Sequence, residues 1–117
     1  MNSYIEKESD WGNIEYKIAF IDMTLEKIKK YATQLKYRVI EGNGTALYML
    51  GIRDNGNVVG IAKNSIEYTK NIMAKICSEV ECSLEDVIEI SLTGDYSIII
   101  FKAKALFSLD NIMFIDT

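Results

Sequence analysis

Ile14-Glu15-Tyr16-Lys17-Ile18-Ala19-Phe20 alternates apolar with polar positions at period two, which predicts a first strand with one buried face and Glu15 turned to solvent. From Leu25 the period lengthens. Leu25, Ile28, Ala32, Leu35 and Val39 recur at helical spacing, with Asp22 or Thr24 placed to cap the start and Gly42 soon after the end, so the first helix belongs here. Thr45 to Asp54 and Asn57 to Ile61 flank Asn55-Gly56, the pair best suited to a two-residue type I′ turn because both positions need φ > 0. A hairpin is expected. Asn64 or Ser65 then caps a second helical pattern, with Ile66, Thr69, Ile72, Met73 and Ile76 on one side, ending near Glu79. Asp86 to Leu92 and Tyr96 to Lys104 are β-rich and joined by Thr93-Gly94-Asp95, which predicts a second hairpin.

The order reads β-α-β-β-α-β-β. Two amphipathic helices among hairpins point to an α+β two-layer sandwich, with the helices on one face of a mainly antiparallel sheet. The boundaries are an N-terminal arm over residues 1–12, one domain over 13–105, and a C-terminal apolar segment over 106–117. That last segment carries Ile112, Phe114 and Ile115, which suit an edge strand, a docking tail or self-association.

Composition narrows the function classes. With 49% hydrophobic and 26% charged residues among 117, the chain has the balance of a folded domain. Its longest apolar run, around Tyr96 to Phe101, is far below the roughly 18 residues of a membrane span. The N-terminus shows neither a secretory nor a transit pattern, so a cytoplasmic setting is expected. There is no histidine, which removes Ser-His-Asp and Cys-His nucleophile pairs and leaves Cys77 and Cys82 without the usual zinc co-ligand. Both cysteines are expected as reduced thiols, and no metal or cofactor is implied. The absence of proline and the abundance of Ile, Asn and Lys fit an AT-rich genome, such as that of some protists or large DNA viruses.

Net charge is −4, so the surface as a whole does not attract polyanions. The charge is uneven, however. Between Lys27 and Arg38 lie five basic residues and no acidic one, whereas Glu79, Glu81, Glu85, Asp86, Glu89 and Asp95 make the later region negative. Lys27, Lys30, Gln34 and Arg38 are expected opposite the apolar stripe of the first helix, flanked by Tyr31 and Tyr37. Such a face suits RNA phosphates and unpaired bases, although a merely solvated helix face is the commoner explanation of such a pattern.

The series Gly12-Asn13-Ile14-Glu15-Tyr16-Lys17, Thr33-Gln34-Leu35-Lys36-Tyr37-Arg38 and Glu41-Gly42-Asn43-Gly44, followed by Leu50-Gly51-Ile52-Arg53-Asp54-Asn55-Gly56, resembles the amino-terminal domain that precedes the GTPase module in the GTP-binding protein 1 and 2 family. These are relatives of elongation factor 1-alpha. The helix from Asn64 and the strand from Ser97 to Lys104 also fall where that domain would place them. The resemblance implies a translation setting, with ribosome and transfer-RNA engagement and links to messenger-RNA decay. The sequence contains no G-x-x-x-x-G-K-[ST] loop, so GTP binding is not carried over to this chain.

Other candidates are local. Gly42-Asn43-Gly44 can be read as a nest of amides for an anion, or more simply as a helix C-cap. Asp54-Asn55-Gly56 reads as a hairpin tip. Glu8, Asp10, Glu15 and Lys17 are similar to the carboxylate-rich start of Schlafen-type divergent AlbA domains, some of which cleave RNA with a metal. Against that nuclease reading, Glu8 and Asp10 are expected in a mobile arm. The leading expectation is a non-catalytic module contacting RNA, the ribosome or a translation factor, and the alternative is a protein-interaction or self-assembling component.

Overall fold

The computed structural model describes residues 3–109, and the apolar positions Ile112, Phe114 and Ile115 lie outside them. The elements run β1 (Ser3–Tyr4), β2 (Ile14–Lys17), α1 (Leu25–Glu41), β3 (Thr45–Leu50), β4 (Asn57–Val58), β5 (Ile61–Ala62), a 3-10 turn (Lys63–Ser65), α2 (Ile66–Glu79), β6 (Cys82–Ser91) and β7 (Tyr96–Ala105). This is the expected α+β sandwich, with β1 added in the arm.

β7 is the centre of a five-stranded sheet. Along one edge it pairs antiparallel with β3 and, further along, with β5; along the other it pairs antiparallel with β6. β2 joins the outer side of β3 in parallel, as a strand–helix–strand crossover requires. Register places Ala46 against Ala103, Tyr48 against Phe101 and Leu50 against Ile99, all buried on one face. Onto that face α1 brings Ile28, Ala32, Leu35 and Val39, and α2 brings Ile66, Ile72, Met73 and Ile76.

The predicted caps are largely as expected. Thr24 Oγ1 accepts the Lys27 amide at 3.2 Å, satisfying one donor of the first turn. Ser65 precedes α2 but makes no side-chain capping bond; the 3-10 turn before it carries the chain into the helix instead. Cys77 and Cys82 are both buried free thiols. Burial pushes the Cys77 thiol up to about 12 and the Cys82 thiol in the same direction, which makes both poor nucleophiles.

Three expectations change. The first strand stops at Lys17 instead of reaching Phe20, because β3 turns away at Gly51 and leaves the later residues no ladder to join. Gly51 adopts φ 93°, and its carbonyl takes the amides of both Val59 and Gly60; a Cβ on Gly51 would lie 2.9 Å from the Gly60 Cα. The type I′ turn does not form. Gly56 has φ 90° while Asn55 does not enter the positive region. The Asn55 side chain instead accepts the Asn57 amide at 2.9 Å, and the Gly56 amide closes onto Arg53 O at 2.8 Å, giving a turn closed by a left-handed glycine. The expected hairpin between Thr45–Asp54 and Asn57–Ile61 is accordingly short. Its arms touch at Ile52 and Val58, β4 pairs with β1, and β5 goes to β7.

Leu25 also departs from the periodic reading. It sits at the mouth of a groove between α1 and α2, 63% exposed, whereas Leu35 is fully buried. Leu35→Ala is expected to cost about 2–5 kcal/mol, and Leu25→Ala less than about 0.5 kcal/mol, as measured by urea unfolding.

Candidate functional site

The C-terminal half of α1 faces β2 and the arm. There Arg38, placed by sequence on the free basic face, is only 4% exposed, and Glu15, expected in solvent, is 8% exposed. Arg38 Nε donates to Glu15 Oε1 at 2.9 Å. Nη1 donates to the carbonyls of Trp11 (2.9 Å) and Gly12 (3.1 Å), and Nη2 to that of Ser9 (2.8 Å). Four of its five N–H groups are thus engaged, and Nη2 also lies 3.9 Å from Glu8 Oε2. At this burial the guanidinium is closed off from a phosphate in solution. Arg38 is a structural cation, and the physical reason is that a buried guanidinium must be satisfied on all sides.

Glu15 is equally committed, since Lys17 Nζ approaches its second oxygen at 3.5 Å. The arm is bound rather than loose. Glu8 accepts the Tyr16 amide, the Tyr16 hydroxyl donates to Glu6 O, Ile5 N donates to Gly56 O and Glu8 N to Asp54 O. The predicted tip Asp54-Asn55-Gly56 is therefore a tip, and it clasps the arm. Tyr16 points to the sheet face opposite the helices and is buried there beside the arm, which is why strict alternation misassigned β2.

Burial, helped by the nearby Glu15 and Asp54 carboxylates, pushes the Glu8 carboxyl up to about 7, against the opposing effect of the Tyr16 amide. The Arg38 guanidinium does not prevent this, because its short bonds go to Glu15 and the carbonyls.

The remaining candidates separate. Lys30 is exposed, and Lys27 reaches back to the Ile21 carbonyl at 2.6 Å. Gln34 is half-buried with its side-chain oxygen turned inside. Tyr31 is half-buried, 6.1 Å from the Phe20 ring and under Lys17 Nζ at 4.2 Å. Tyr37 is exposed, its hydroxyl donating to Asp10 O at 3.1 Å. The expected contiguous stripe is thus divided: Lys29, Lys30 and Lys36 are exposed, and Lys27 is half-buried. The Gly42, Asn43 and Gly44 amides donate to the carbonyls of Arg38, Ile40 and Val39, so they cap α1 and form no anion nest. Glu8 and Glu15 come together while Asp10 stays apart. Among the described residues no group of three His, Cys, Asp or Glu is arranged to hold a metal, and no helix is long and apolar enough to cross a membrane.

Sequence reasoning missed the pairing of Glu15 with Arg38. A signal existed: Arg38 falls three residues after Leu35 and one before Val39, at the margin of the apolar stripe.

Over 77 residues, 66% of its length, the chain is 32% identical to GTP-binding protein 2 of Mus musculus and of Homo sapiens. The chain is related to the GTP-binding protein 1 and 2 family. The alignment spans 13% of GTP-binding protein 2, so this chain corresponds to a small part of that protein, and the matched length is shorter than Gly12 to Lys104. Over 88 residues, 74% of the chain, it is 30% identical to an uncharacterized protein of Acanthamoeba polyphaga mimivirus, of which the alignment spans 47%. No protein-family model matches the chain.

Two outcomes test the buried cluster. Glu15→Ala should cost about 3–5 kcal/mol by leaving Arg38 uncompensated, and the Glu15→Ala/Arg38→Met double variant should recover part of that loss in urea unfolding. For Glu8 the folded state holds a proton that the unfolded chain has released between pH 4.5 and about 7, so its contribution to stability falls as pH rises through that window. Glu8→Gln keeps the Tyr16 bond and removes the titration. It should raise the unfolding midpoint at pH 8 and leave that at pH 4 nearly unchanged.

Proposed function

We propose that this chain is a non-catalytic binding domain of a translation setting, contacting RNA, the ribosome or a translation factor through the exposed lysines of α1. The observation that carries this reading is the relation to GTP-binding protein 2 in a sequence that has no phosphate-binding loop. Support comes from the distribution of charge. Lys29, Lys30 and Lys36 are exposed on α1 and Lys27 is half-buried beside them, with Glu26 in the first turn and no further acid before Glu41, while the acids of β6 lie in the other half of the chain. Polyanion affinity concentrates where cations cluster, even on a protein of negative net charge.

The nuclease alternative loses its ligand set. Both Glu15 oxygens already face cations, and Glu8 lies in the same buried cluster. A second reading, protein–protein interaction, is favoured by the apolar sheet face opposite the helices.

Binding of purified ribosomes and of structured RNA, measured at low and physiological salt, tests the proposal. Charge reversal belongs at Lys27, Lys29 and Lys30. Including Arg38 would unfold the domain and mimic a lost interface. The expected result is binding that weakens with salt and falls at least about tenfold in the folded triple variant. Binding by neither ligand, or binding insensitive to the three reversals, overturns it.

A further inference from the structure

The sheet face away from the helices is apolar where a solvated face would be polar. Along the β6–β7 ribbon, Ile88 pairs with Ile100 and Ile90 with Ile98, and one step further Asp86 pairs with Lys102. These positions alternate with the buried Ile99, Phe101 and Ala103, so they share the outer side. Ile88 is 48% and Ile90 45% exposed, while Ile98 and Ile100 are half-buried. Among the described residues no element covers this ribbon. Contiguous exposed apolar surface of this kind marks an interface.

We propose that the outer face of the β6–β7 ribbon is a two-fold interface that takes a second copy of this chain. A dyad in the interface plane, parallel to the strands and between β6 and β7, brings each β6 residue over the β7 residue of the partner at the same register. Ile88 then meets Ile100, Ile90 meets Ile98, and Asp86 meets Lys102, each twice by symmetry. The pattern is self-complementary: apolar lies on apolar, and the single acid lies on the base. Packed sheets cross at about 30°. Pivoting on the Ile88–Ile100 row, that angle moves the neighbouring rows sideways by about 3 Å, more than half the strand spacing of about 4.8 Å, so the isoleucine row carries the contact and Asp86 and Lys102 meet only through the reach of the long lysine side chain. Growth through the free edge of β6 is disfavoured instead. The register shift between Leu84 and Asp86 interrupts that strand, and Glu85 and Glu89 would meet their own copies. This interface does not rest on the RNA-binding reading.

Sedimentation equilibrium of the full chain over a concentration series tests it. The intact chain should show twice the 13.3 kDa monomer mass, and Ile88→Lys/Ile90→Lys should return it to one chain with an unchanged circular dichroism spectrum. Ile88→Thr/Ile90→Thr serves if the lysine pair fails to fold. Asp86→Lys and Lys102→Asp should each lose the dimer, and the double exchange should restore it. A chain that is monomeric at every concentration overturns the proposal. So does a dimer that survives the folded isoleucine variants, one lost only on removing residues 110–117, or single charge variants that the double exchange fails to rescue.

Discussion

The burial of one guanidinium organises this fold. Arg38 is the residue through which α1, β2 and the arm become a single structure, because its N–H groups reach a carboxylate on β2 and three carbonyls of the arm. A charge removed from water demands this many partners. The demand determines the path of residues 9–12, since backbone carbonyls there must converge on the end of the Arg38 side chain. Once the arm is held, it shields Tyr16 and meets the hairpin tip, so a local electrostatic requirement becomes a long-range constraint.

The hairpin after β3 follows from a second constraint. At Gly51 the chain leaves the sheet and passes close to Gly60, within a distance that admits no Cβ. That crossing lets β3 and β5 lie in line along the same side of β7, with residues 51–60 projecting toward the arm. The arm–tip contacts therefore depend on a backbone approach as much as on side-chain charge. Arm, tip and Arg38 form one unit tied to the edge of the sheet.

These constraints redistribute the surface available for function. Arg38 is withdrawn from the helix face, Gln34 and Tyr31 are partly enclosed, and the exposed cations of α1 are Lys29, Lys30 and Lys36. On the opposite side of the sheet the β6–β7 ribbon keeps isoleucines in a layer that, among the described residues, no helix covers. The domain thus carries exposed lysines on α1 and an apolar ribbon on the sheet, two surfaces of different chemistry on opposite sides of one core.

The sequence by itself determined the two helices, the final hairpin, the reduced cysteines and the α+β layering, because hydrophobic period and capping chemistry act over a few residues. The same local signals narrowed the α1 cap to Asp22 or Thr24 and gave the helix-capping role of Gly42-Asn43-Gly44. Only the tertiary structure decided the fate of Glu15 and Arg38. Each reads as a surface residue within its own element, and their burial depends on two segments meeting 23 residues apart. The turn at Asn55-Gly56 was misread for a related reason: the Asn55 side chain found a local amide that the dipeptide rule does not consider. The stripe from Lys27 to Arg38 was legible as charge but not as accessible charge, since exposure depends on which flank of the helix the arm and sheet cover.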